Sequence, residues 1–171
     1  MKRRQIDWDN LVPLGLGGRL TAKWILAGLV FAVCFAWILF EYHLSSQHGQ
    51  LYWYHINRRE LNPDAVMGPF YMTIRGVFNG FGIVILCMLP LSAAHYFYHY
   101  QDTRSIYLMR RLPNRWELWR RCLALPLLCV VVCAVLAAAH LLIFYAIYYV
   151  STPKQCLQPG QWRMLWENLF N

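Results

Sequence analysis

Three kinds of residue in this chain have side chains capable of chemistry: six histidines, six cysteines, and sixteen Lys/Arg set against eight Asp/Glu. Histidines invite a haem or metal reading. His95 and His99 are four apart and share a helix face if that stretch is helical. His140 lies some 18 residues beyond Cys122, about 27 Å along a helix at 1.5 Å per residue. That depth sets it far from His95, so the two do not share one haem. His43 is closer in depth to His140, but two residues do not make a site. The cysteines show no C-x-x-C pair. Cys34, Cys87, Cys129 and Cys133 lie inside apolar runs, and Cys122 lies at the edge of one. Cys156 stands apart from them with no partner for an extracytoplasmic disulfide. They read as small packing residues. Ser45, Ser46, Ser92, Ser105 and Ser151 occupy no nucleophile elbow. Gly15-Leu16-Gly17-Gly18 lacks the Lys-Ser/Thr that a phosphate-cradling loop needs. The expectation is a chain that is not an enzyme and holds no cofactor and no metal.

The basic residues carry more information. A net charge of +8 raises the question of nucleic acid, but the distribution answers it. Five Lys/Arg fall in residues 1–23 and six in residues 99–121; five are scattered over the rest. Clusters flanking apolar runs are the mark of membrane topology. They place the N-terminus and the 99–121 loop in the cytoplasm, and no nucleic-acid partner is expected. The same positions would favour anionic lipid.

The elements that must position these residues follow from hydropathy. The chain is 58% hydrophobic and 14% charged, where a soluble domain averages about 25% charged. Three apolar runs approach or exceed the ~17–25 residues that span a bilayer. The expected organisation is one all-α membrane domain over 1–171. A cytoplasmic interfacial segment covers 1–23, and the three transmembrane helices cover 24–42, 73–98 and 122–150. An outer loop fills 43–72, a cytoplasmic loop 99–121, and an outer amphipathic tail 151–171. Three crossings put the C-terminus outside, in a multi-pass protein of the cell membrane. Asn62-Pro63-Asp64 and Gly68-Pro69 are turn signals in the outer loop. Gly76 and Gly80 have the four-residue spacing of a close helix–helix contact. In the tail, Trp162, Leu165, Trp166, Leu169 and Phe170 fall at helical spacing and predict an interfacial helix.

Residues 102–121 are the most patterned stretch. Six arginines interleave with Leu108, Leu112, Leu118, Trp116 and Trp119. Proline disfavours helix in the residue before it, so Leu112-Pro113 ends a short helix. Asn114 can cap the next one, with Glu117 three residues on as its partner. The pattern predicts a short helix, a sharp break, and a fresh helix that enters the membrane as the third crossing.

Leu112-Pro113-Asn114-Arg115 followed by Glu117-Leu118 resembles the loop between the second and third crossings of the membrane subunits of type 2 ABC transporters. The surface segment before the first crossing fits the same family. There the short helix is the coupling helix, which seats in a groove of the ATP-hydrolysing subunit. The resemblance implies that Ser105, Ile106, Tyr107, Leu108, Met109, Arg110, Arg111 and Leu112 dock on such a partner. Those permeases have six crossings and this chain three, so a second membrane chain or a second copy is implied. The expected function is a non-catalytic subunit of an ABC export or immunity complex, passing motion from a separate ATPase to membrane helices. The alternatives are a non-transport assembly subunit and a haem-binding membrane anchor.

Overall fold

The computed structural model describes residues 17–55, 58–62, 64–101 and 116–170. Helix α1 (Gly18–Gln50) opens where Gly17 accepts backbone hydrogen bonds from Leu20 and Thr21, at 2.9 and 3.2 Å. Its 33 residues extend about 50 Å, well past a hydrocarbon core of about 30 Å. Strands β1 (Tyr52–His55) and β2 (Arg58–Leu61) form an antiparallel pair in which Trp53 faces Glu60. A single turn, α2 (Phe70–Thr73), precedes α3 (Asn79–Gln101). Helix α4 (Trp116–Ser151) is the longest, at 36 residues, and α5 (Gln161–Phe170) closes the chain.

Among the described residues, three segments are long and apolar enough to cross a membrane: Gly18–Gln50, Asn79–Phe97 and Cys122–Ser151. The protein is a multi-pass membrane protein whose fold is all-α apart from the small hairpin. Leu26, Ile38, Leu86, Leu128 and Val135 are among many large apolar side chains left exposed along these helices. In water such a surface would be a liability; against lipid tails, which are as apolar as leucine, it costs nothing.

The chain divides into two compact units. The first comprises Met1–Ala32 and Phe81–Val135. Its interior is aliphatic and sulfur-rich, with Val84, Met88, Leu125, Cys129 and Cys133 buried. Gly28 on α1 comes close to α3 here: a Cβ placed on it would lie 3.7 Å from Val84. The second unit comprises Val33–Gly80 and Leu136–Asn171. Its interior is aromatic. Phe40 and Phe144 stack at 4.2 Å, Trp37 meets Phe144 edge-on at 5.1 Å, and Phe70 meets Tyr145 edge-on at 5.3 Å. Phe40, Phe70, Phe144 and Tyr148 are fully buried.

Several expected boundaries move. The first and third apolar helices run further than hydropathy indicates, because polar residues at a membrane surface carry a helix on at little cost. The second starts later, at Asn79 rather than 73. Gly76 adopts φ +75°, a left-handed conformation that only glycine takes up readily and that no α-helix contains. Gly76 and Gly80 therefore do not share a helix: Gly76 sits in the turn before α3, and Gly80 is a buried residue of that helix's first turn. The expected outer loop is largely ordered. Its first eight residues, 43–50, belong to α1, and the hairpin follows. Asn62 makes the predicted turn by accepting the Asp64 backbone N–H on its side-chain oxygen at 3.1 Å.

Candidate functional site

The expected docking residues Ser105 to Leu112, with Pro113 and Asn114, lie outside the described residues. Glu117 is the second residue of α4. What is described is how the two flanks of that loop are held. Helix α3 carries the chain to Gln101 and α4 resumes it at Trp116. Each flank contains a proline. Within α3, Pro90 is followed by Ser92, whose hydroxyl donates to the Met88 carbonyl at 2.7 Å.

The proline of α4 has the larger consequence. Pro126 has no N–H, so the carbonyl four residues earlier, that of Cys122, loses its helical partner. Nδ1 of His95, from α3, stands 3.4 Å from that oxygen. A carbonyl only accepts, so the ring donates from Nδ1. The distance is at the long end for a hydrogen bond, but His95 is 2% exposed and Cys122 is 3% exposed. No water competes for the carbonyl at such burial. His95 thus ties the two flanks of the loop together, six residues before α3 ends and six after α4 begins. The sequence contained both halves of this arrangement. A helical Pro126 announces an orphan carbonyl at Cys122, but nothing local says which side chain covers it.

The second unit is tied by more polar contacts, all converging on residues 65–73. The first N–H groups of any helix lack an internal partner, and Pro69, at the N-cap of α2, has no side-chain acceptor to offer. Gln161 supplies one from the first residue of α5, 91 positions away. Its Oε1 accepts the Phe70 N–H at 2.8 Å. Tyr148 donates to the Gly68 carbonyl at 2.8 Å, and Thr73 donates to Gln47 at 3.1 Å. The Met67 N–H bonds to the Cys156 carbonyl at 2.9 Å. Cys156 is itself buried, at 2% exposure, so the expected outer cysteine packs rather than reacts. Beside this cluster lies a cleft of about 460 Å³ lined by Tyr71, Arg75, Asn79 and Asn168.

His95 and His140 take structural roles. His140 pairs with the Leu136 carbonyl of its own helix at 2.7 Å and meets Trp37 and Phe144 edge-on. Among the described residues, no three His, Cys, Asp or Glu come together to hold a metal ion. All six cysteines are free thiols. Compared with family models, curated proteins and solved structures, the chain matches none.

Proposed function

We propose that this chain is a non-catalytic membrane subunit of an ABC transporter complex of export or immunity type. It passes motion from a separate ATP-hydrolysing subunit to its membrane helices, alongside a second membrane chain or a second copy. In this reading the N-terminus and the 99–121 segment, whose two ends belong to α3 and α4, are cytoplasmic and the C-terminus is outside the cell membrane.

The observation that carries the reading is the mounting of the loop. The Leu112-Pro113-Asn114-Arg115 segment resembles a coupling element, and in the sequence it directly precedes α4, a helix of 36 residues, about 54 Å long. The His95–Cys122 contact fastens the base of the loop, so a push on it displaces two helices rather than one flexible connection. A docked element continued rigidly into a long helix transmits movement in this way.

The test is co-purification from native membranes, with ATPase activity of the eluate as readout. Buried apolar anchors carry most interface energy, while rim charges tune association. Tyr107→Ala with Leu108→Ala is therefore expected to strip the ATPase from the complex, at about 1–3 kcal/mol for each buried anchor, with insertion unchanged. Arg110→Gln with Arg111→Gln is expected to weaken capture modestly. Retention of the ATPase by the Tyr107/Leu108 variant, with inverted insertion of the arginine variant, would reduce the loop to a topology signal. A captured membrane partner without any ATPase would favour the assembly-subunit alternative.

A further inference from the structure

A groove of about 390 Å³ runs between α1 and α4 in the first unit. That volume lies within the roughly 300–1,000 Å³ of small-molecule pockets. One end carries Arg19 and Lys23, four apart on one face of α1. The rest is apolar: Leu26 and Leu29 on one wall, Leu128 and Val132 on the other. Arg19 and Lys23 are both exposed, and no carboxylate among the described residues pairs with either. Leu26 and Leu128 are 60% and 51% exposed.

We infer that this groove is a binding site for one anionic phospholipid, its phosphate on Arg19 and Lys23 and one acyl chain lying between α1 and α4. Two features select this occupant over the lipid that coats any membrane helix. The first is length. Arg19 to Leu29 spans ten residues, about 15 Å of helix, which is one leaflet of a hydrocarbon core about 30 Å thick. The second is polarity. The cations sit only at the end where a headgroup belongs, and their aliphatic stems lie along the apolar wall while the charges reach the surface. A second protein chain would need a partner for the two cations as well as cover for the leucines; a phospholipid supplies both in one molecule. The site does not involve residues 102–115, so it stands or falls separately from ATPase docking.

The full-length protein, purified in detergent and stripped of lipid, is titrated with phosphatidylglycerol, with phosphatidylcholine of the same chains, and with inorganic phosphate, following thermal unfolding. Phosphatidylglycerol is expected to raise the melting temperature saturably, at a half-effect concentration roughly 10- to 30-fold below that of phosphatidylcholine, from two cations near a lipid surface. Phosphate alone should do nothing. Arg19→Gln with Lys23→Gln should erase the preference, and Arg19→Lys with Lys23→Arg should keep it, which separates charge loss from misfolding. Leu29→Trp, which fills the groove, should weaken both lipids. Equal response to the two lipids, a response to phosphate matching that to phosphatidylglycerol, or a preference surviving in the Gln variant would each overturn the site.

Discussion

The two units are built on opposite principles. In the second, four separate chain segments meet residues 65–73 or the rings beneath them, through hydrogen bonds at 2.8–3.1 Å and stacked or edge-on aromatic pairs. In the first, the described helices pack through aliphatic side chains and cysteines, with a long His95–carbonyl contact between them, and leave a groove open. The difference follows from what each backbone does. The second unit contains every described departure from helix between α1 and α3, and each departure exposes N–H and C=O groups that need partners. The described residues of the first unit are nearly all helical, which satisfies their own backbone, so polar side chains have little left to do there. A unit held by non-directional contacts can slide between packings more readily than one pinned by hydrogen bonds. This is the mechanical property that the proposed coupling role requires.

The contrast is broken or sharpened most strongly at the aromatic core. Phe144→Ala removes a fully buried ring and is expected to cost about 3–5 kcal/mol. Val84→Ala in the first unit removes two methyl groups and is expected to cost about 1–2 kcal/mol. Thermal unfolding of both in one detergent measures the ratio, and equal losses would mean that the second unit is not the better-pinned one.

A smaller effect is expected at the helix cap. Gln161→Leu keeps bulk but leaves the Phe70 N–H buried and unpaired, at about 1–3 kcal/mol. The loss should be local, so amide exchange is expected to accelerate first at Phe70 to Thr73 while the middle of α4 stays protected. Uniform acceleration through both units would show that the cap supports the whole molecule instead.

The smallest effect tests the His95–Cys122 tie of the first unit. His95→Ala should cost about 1 kcal/mol, because it uncovers the Cys122 carbonyl. Pro126→Ala restores a backbone N–H for that carbonyl, and in this background the His95 change should cost close to nothing. A double-mutant cycle by thermal unfolding would then give about 0.5–1 kcal/mol of coupling. Equal cost of His95→Ala in both backgrounds would mean that the ring serves only as packing.

Much of the architecture was legible in the chain because it depends on local properties. Hydropathy over about 20 residues marks a crossing wherever the rest of the chain lies. The tail helix was legible for the same reason: Trp162, Leu165 and Trp166 recur at helical spacing, and the structure forms α5 over Gln161–Phe170, burying Leu165 while Trp162 and Trp166 stay exposed. The Asn62 turn needed only its own side chain. Gly76 was misread because four-residue spacing looks the same whether the first glycine continues a helix or ends the approach to one; only its φ of +75° separates the two.

What the sequence by itself determined is therefore the number of membrane helices, their rough extents, the basic loop between the second and third, and the amphipathic end. Each follows from composition within a short window, where transfer of side chains into hydrocarbon dominates. The tertiary structure alone decided that Gln161 caps a helix 91 residues away, that His95 covers the carbonyl orphaned by Pro126, that β1 pairs with β2, and that Arg19 and Lys23 head an apolar groove rather than stand on a plain face. Apart from the local hairpin, those pairings join residues far apart in the chain. Backbone groups left open by a turn or a proline must be satisfied, but which side chain satisfies them is settled only when the helices have packed.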